Sequence, residues 1–315
     1  MSETEAEAET EAETENEDAR DSGGDREIRT IAVAGAGTMG AGIAIVAARG
    51  GFETIVYDAD EEALERAADG AMAFLQKSVD RGKLTQAQFE EITGRMAGAT
   101  SLDELERADL VIEAVYEDLE VKRELFGDLH YACPPETLFA SNTSTLSITE
   151  LAAASRRADR FVGLHFCLPA QVMKLVEVTP GLATSDDTFQ RAWDVCLAMG
   201  QQPVKTQDTP GFVLNYFVVP FNNDAIRTIE AGVCSPADLD TAIKKGMGYA
   251  MGPCELLDMI GLDTQILLSD AFYAATNDPR AACPPLLKRM VAAGHLGKKT
   301  GRGFYTYEDG KMFGA

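Results

Sequence analysis

The sequence predicts an α/β protein: a doubly wound parallel sheet covered by helices on both faces, then an all-helical second domain. Three observations carry this expectation. Apolar runs bounded by turn or acidic residues (IRTIAVAG, ETIVYD, DLVIEAV) alternate with helix-like stretches, the pattern of parallel strands joined by crossover helices. A glycine-rich turn, GAGTMG, links the first run to the stretch after it. Strand patterns stop at Asp208-Thr209-Pro210-Gly211.

In chain order, residues 1–25 stand apart. Eleven acidic residues against Arg20 give this tail a charge of −10, and it holds no large apolar residue after Met1. It cannot bury anything and its charges repel, so it is expected to be disordered. The sheet unit with the glycine-rich turn is expected over 26–208. After its first two strands comes a long helical region, about 61–91, broken near Arg81-Gly82. It is longer than an ordinary crossover and reads as an inserted helical hairpin. TLFASN, FVGLHF, LVEVTPG and PVKTQD are the later strand candidates. The helical unit is expected over 209–315. It opens with PGFVLNYFVVPFNNDAIRTIEAG, and a second helix starts at Ser235 as N-cap with Pro236 at its first position.

The whole chain of 315 residues carries a net charge of −23. That excludes a general binder of nucleic acid or anionic membrane, which needs clustered positive charge. No apolar run reaches the roughly 18 residues of a membrane span. The acidic start is unlike a signal peptide, so a cytoplasmic protein is expected. The six cysteines are scattered, without a CxxC pair, and read as reduced thiols; the three histidines are too dispersed to mark a metal site, and no metal is expected. Only 11 of the 28 basic residues are Lys. An acidic body with few lysines is expected of a protein from a salt-rich cytoplasm.

GAGTMG, Gly35 to Gly40, fits GxGxxG and sits between a strand and a helix. Gly35 permits the tight turn, Gly37 lets the backbone approach a pyrophosphate, and Gly40 lets helix and strand pack closely. The helix start at Thr38 and Met39 offers N–H groups to phosphate. Asp58, 23 residues after Gly35, ends the next strand. A carboxylate there accepts from the adenosine ribose hydroxyls and repels a 2′-phosphate, so NAD is expected over NADP, and FAD is disfavoured. The fold is therefore expected to be of the Rossmann type. His165 ends the strand FVGLHF, where ligands gather in such sheets, and imidazole suits the alcohol proton of a hydride-transfer reaction. A lone strand histidine is more often a satisfied core residue than a catalyst, and it is the position at the strand end that singles this one out. Glu177, on the next strand candidate, is either its partner or a solvated charge.

GAGTMG, ASNTSTLSITELA, RFVGLHF, VMKLVEV, DTPGFVLN, MGYAMGPCELLDMIGLD and GKKTGRGFYTY together resemble the NAD-dependent 3-hydroxyacyl-CoA dehydrogenase family over about 28–309. The resemblance implies interconversion of (S)-3-hydroxyacyl-CoA and 3-oxoacyl-CoA in fatty-acid or short-chain acyl-CoA metabolism, with β-oxidation as the setting. It implies His165 as general base, Glu177 as its orienting partner, and Ser144 and Asn215 near the substrate 3-oxygen. It assigns cofactor contacts to Glu117, Lys122, Ser144 and Lys299. It places the coenzyme A moiety at the helical insertion, where Arg81 and Lys83 are the basic candidates. It implies a homodimer through the helical domain. Two departures stand out: Phe74 replaces a usual serine near the coenzyme A site, and His165-Phe166-Cys167-Leu168-Pro169 replaces HFFNP, so that Leu168 stands where the family has Asn. The other readings are an NAD-linked dehydrogenase of a related 3-hydroxy or sugar acid, and a non-catalytic NAD-binding protein.

Overall fold

The computed structural model describes residues 27–308 and 311–313. The acidic tail at 1–25 lies outside the described residues.

The first apolar run forms β1 (Thr30–Ala34), the glycine turn leads into α1 (Thr38–Arg49), and β2 (Glu53–Tyr57) follows. The helical insertion is α2 (Glu61–Asp80) and α3 (Gln86–Gly94), broken at Arg81-Gly82 as the sequence predicts. Each starts on a side-chain cap: Asp60 accepts from Glu62 N, and Thr85 forms a reciprocal box with Gln88. The sheet continues with β3 (Met96–Ala99), β4 (Leu110–Glu113), β5 (Leu138–Ser141), β6 (Phe161–Phe166), β7 (Leu175–Pro180) and β8 (Gln202–Lys205). Helices α4 (Leu119–Ala132), α5 (Ile148–Ala154) and α6 (Asp186–Ala198) follow β4, β5 and β7. The eight strands lie in the order β3-β2-β1-β4-β5-β6-β7-β8. β4 and β5 are buried along their whole length, because helices cover both faces.

Two features differ from the sequence expectation. β3 was not foreseen: MAGA has no large β-branched or aromatic residue and only pairs with β2 at the sheet edge. The sheet is also not wholly parallel, since β6 and β7 pair antiparallel. Their link, 167–174, is shorter than the dozen or so residues that a parallel crossover needs.

Beyond the sheet come α7 (Leu214–Glu230), α8 (Pro236–Gly246), α9 (Pro253–Ile260), α10 (Leu262–Thr276) and α11 (Pro285–Ala292). Ser235 caps α8 as its sequence predicts, accepting from Asp238 N. This part is not all-helical: β9 (Thr306–Glu308) and β10 (Lys311–Phe313) form an antiparallel hairpin. The chain leading to it is held by two buried carboxylates. Asp258 accepts from Phe304 N and Tyr305 N at 2.9 and 2.8 Å, and Asp240 accepts from Tyr305 Oη at 2.8 Å while capping α9. Helices and hairpin close over a core of Ile226, Leu257, Leu262, Leu287 and Phe304.

Candidate active site

The carboxyl ends of β1, β2, β4, β5 and β6 bring the sequence-predicted residues to one edge of the sheet. At β1 the backbone of Gly35 takes φ +111°, and a Cβ there would lie 2.7 Å from Ala114 O. A Cβ on Gly40 would strike Gly35 O, so helix and turn require glycine at both places. Gly37 has nothing within 4 Å of its missing Cβ, and no side chain caps α1 at this residue. The helix start is thus an open cradle of backbone donors, suited to a pyrophosphate. Asp58 Oδ2 accepts from Ala36 N at 2.8 Å, which fixes the carboxylate beside that cradle. The open glycine, uncapped helix and adjacent carboxylate fit a dinucleotide with a free ribose diol, as NAD has.

His165 and Glu177 face each other across the antiparallel β6–β7 pair. His165 Nδ1 lies 2.7 Å from Glu177 Oε2, and Nε2 lies 3.1 Å from Ser144 Oγ. The other Glu177 oxygen, Oε1, accepts from Val213 N at 2.8 Å and Leu214 N at 2.9 Å, at the start of α7. Burial pushes the Glu177 carboxyl up, but the hydrogen bonds from His165, Leu214 and Val213 outweigh it and leave it below the usual carboxylate range. An ionised Glu177 can only accept, so Nδ1 carries the imidazole hydrogen and Nε2 presents a lone pair. Phe212 covers the ring with centroids 5.6 Å apart, and holds a left-handed φ of +53° to do so. Burial and the neighbouring Glu177 push the Cys167 thiol up to about 11, so it is no thiolate nucleophile.

Asn215 is half-buried on the first turn of α7, just past the Glu177 contact. Glu117 does not simply face outward. Its Oε1 takes Thr143 Oγ1 at 2.6 Å, Ser144 N at 2.8 Å and both Thr145 donors at 3.1 Å. Lys122 is 1% exposed, with Nζ 2.5 Å from Glu113 Oε1 and 3.2 Å from Glu117 Oε2. Lys299 belongs to the second part of the chain, its Nζ 2.6 Å from the Asp263 carboxylate. Arg81 and Lys83 are exposed at the turn between α2 and α3. Phe74 packs against the small core of that hairpin. Leu168 is 50% exposed.

Several site residues were missed in the sequence. Asn142 Oδ1 accepts from Phe166 N at 2.8 Å, tying the SNTST segment to the strand that carries His165. Asp208 caps α5 through Ile148 N and Thr149 N, both at 2.8 Å. Glu113, fully buried at the end of β4, stands inside the apolar run DLVIEAV with nothing beside it to mark a role. Each is a polar residue next to a turn, and no spacing pairs it with its distant partner. Among the described residues, no group of three or more His, Cys, Asp and Glu could hold a metal ion, and no helix is long and apolar enough to cross a membrane.

Comparison with known proteins agrees with this geometry. The family description "3-hydroxyacyl-CoA dehydrogenase, NAD binding domain" matches residues 30–209, and "3-hydroxyacyl-CoA dehydrogenase, C-terminal domain" matches 211–307. A probable 3-hydroxybutyryl-CoA dehydrogenase of Bacillus subtilis is 44% identical over 90% of this chain and 99% of its own length. The human mitochondrial hydroxyacyl-coenzyme A dehydrogenase is 43% identical over 89% of this chain and 92% of its own. The crystal structure of an (S)-3-hydroxybutyryl-CoA dehydrogenase from Ralstonia eutropha superposes with a TM-score of 0.86 at 38% identity, covering 90% of this chain and 100% of that one. With a dinucleotide cradle beside a serine–histidine–glutamate array, and with both family domains matched in order, the chain belongs to the 3-hydroxyacyl-CoA dehydrogenase family and is an NAD-dependent oxidoreductase of that class.

Proposed function

We propose that His165 is the general base of this dehydrogenase, with Glu177 orienting it and Ser144 and Asn215 holding the substrate 3-oxygen. The observation that carries the reading is the unbroken hydrogen-bond line from Ser144 Oγ through His165 to Glu177. NAD, when bound, supplies a two-electron acceptor for the hydride from C3 of the substrate. His165 Nε2 takes the hydroxyl proton, and Glu177 stabilises the imidazolium that results. Ser144 and Asn215 donate to the oxygen as it becomes a carbonyl, where the charge changes most. In the reverse direction His165 returns the proton. Gly37, Thr38 and Met39 offer backbone N–H groups to the pyrophosphate, and Asp58 accepts from the ribose diol. Glu117, Lys122 and Lys299 complete the cofactor contacts, Lys122 through Glu117 because its own ammonium is enclosed.

The substrate in this reading is an (S)-3-hydroxyacyl-CoA thioester of fatty-acid breakdown, with 3-hydroxybutyryl-CoA as the first compound to test. Arg81 and Lys83 meet the coenzyme A phosphates. The chain divides near 208 into a cofactor unit and a helical unit. The helical unit pairs two copies; α7 and α10 leave Phe217 and Leu267 67% and 72% exposed, which favours a covered face. The protein works in the cytoplasm, in a salt-rich cell.

The decisive assay follows NADH absorbance with 3-hydroxybutyryl-CoA, a longer thioester and the free acid. His165→Gln is expected to lower kcat by about 10²–10⁴-fold with NAD binding little changed. Wild-type kcat in that variant would exclude His165 as base. Equal use of the free acid would favour a dehydrogenase of a related acid, and NAD binding without turnover of any thioester would favour a non-catalytic protein.

A further inference from the structure

Beneath the Ser144 segment lies a charged assembly that the proposed proton transfer does not use. Glu113 and Ser141 end neighbouring strands β4 and β5 and stand opposite each other in register. Ser141 Oγ donates to Glu113 Oε2 at 2.6 Å, and Val115 N donates to Oε1 at 2.8 Å. Lys122 reaches in from α4 and bridges Glu113 to Glu117. Glu117 in turn takes the Thr143 hydroxyl, the Ser144 N–H and both the N–H and the hydroxyl of Thr145 on one oxygen. Glu113, Lys122, Ser141 and Thr143 are all buried.

A buried carboxylate, Glu113, and a buried ammonium, Lys122, are a costly way to fill a protein interior, with Glu117 at its exposed end. Buried ion pairs add little net stability over apolar side chains of the same volume, because both charges must leave water. Burial pushes the Glu113 carboxyl up even with Lys122 against it, which shows how far desolvation works against this cluster. What the cluster supplies and an apolar core cannot is direction. Glu117 is a flexible side chain with one oxygen taking four donors. Lys122 pins its second oxygen, and Glu113, held by Ser141 and Val115 at the rigid centre of the sheet, pins Lys122. The last link is the Ser144 segment, whose hydroxyl stands 3.1 Å from the imidazole.

We propose that Glu113 is a positioning residue for catalysis: acting through Lys122 and Glu117, it fixes the segment 143–145 so that the Ser144 hydroxyl is aimed at His165 and the substrate oxygen. This rests on the reading of Ser144 as a substrate-oxygen donor. Glu113 touches neither substrate nor cofactor. Its loss is felt in kcat, since a misaimed donor weakens an interaction that matters most in the transition state.

The test is a double-mutant cycle between Glu113→Gln and Ser144→Ala, with NAD affinity measured separately by calorimetry. Glu113→Gln is expected to lower kcat at saturating NAD about tenfold, the size of one misplaced hydrogen bond; Glu117 and Lys122 also belong to the proposed cofactor contacts, so any loss of NAD affinity is read apart, in Kd. In the Ser144→Ala background the same change should have almost no further effect, because the donor it positions is gone. Ser141→Ala, which removes one hydroxyl from Glu113 and keeps every charge, should lower kcat in the same direction by a smaller factor. It decides the matter if Glu113→Gln fails to fold. The proposal is overturned if the two main substitutions multiply in full, if NAD affinity falls while kcat at saturating NAD stays at the wild-type value, or if a folded Glu113→Gln and Ser141→Ala both keep wild-type kcat. Should Ser144→Ala itself keep wild-type kcat, the reading of Ser144 fails first. A loss in Ser144→Ala with none in Glu113→Gln removes only the positioning role.

Discussion

Glu177 serves His165 with one oxygen and Val213 and Leu214 with the other, and that sets its pH behaviour. Its carboxyl is held below the ordinary carboxylate value by His165, Leu214 and Val213. A group depressed on folding contributes stability in full above its unfolded value, and the contribution disappears as pH falls through the lowered folded value. Glu177→Gln should therefore flatten part of the acid limb of Tm against pH, while leaving the limb above about pH 6 nearly parallel to wild type. Parallel curves all the way into acid would contradict the assignment. In the proposed reading Asp58 acts by charge instead. Its Oδ2 is tied to Ala36 N, so the carboxylate cannot swing away from a 2′-phosphate. Wild type should show a much higher kcat/KM for NAD than for NADP, and Asp58→Ser with a nearby Arg should narrow the ratio. Equal values in wild type would defeat this.

The elements around the site are joined by caps placed between distant segments. Asp208, in the link from β8 to α7, caps α5, which follows the Ser144 segment; Ser147 Oγ adds a contact at 3.0 Å. Glu177 makes the matching contact at the start of α7. The link itself is tightly specified: a Cβ on Gly211 would strike the Phe272 ring, and Gly211 has φ +77°. Asp208→Ala should cost about 1–2 kcal/mol, the range for a lost N-cap, read from the urea midpoint at unchanged slope. Because the cap binds the link to the active-site segment, kcat should fall as well. A variant as stable as wild type would mean that water replaces Asp208 without cost.

For the whole molecule the governing quantity is charge. With −23 overall, self-repulsion should destabilise the protein in dilute buffer and be screened at high salt. Tm should rise from low salt to molar KCl. A chain starting at Asp25 should keep its kcat and much of its salt response, since most of the negative charge lies beyond the tail. A Tm that is flat or falls with KCl would argue against adaptation to a salty cell.

What the sequence alone determined is local. The turn at Gly35–Gly40, the carboxylate at Asp58, the break at Arg81-Gly82 and the cap at Ser235 each depend on a few adjacent residues, so their chemistry is legible in order along the chain. The family stretches added roles for His165, Ser144 and Glu177. Tertiary structure decided the rest. MAGA became a strand only because β2 offered an edge to pair with. The short link after Phe166 turned β7 antiparallel, and that register, not the spacing of His165 and Glu177, set the two side chains face to face. Glu113, Asn142 and Asp208 acquired their roles from partners brought near by folding. A buried polar group must find a donor or acceptor somewhere, but its own sequence neighbours do not say where.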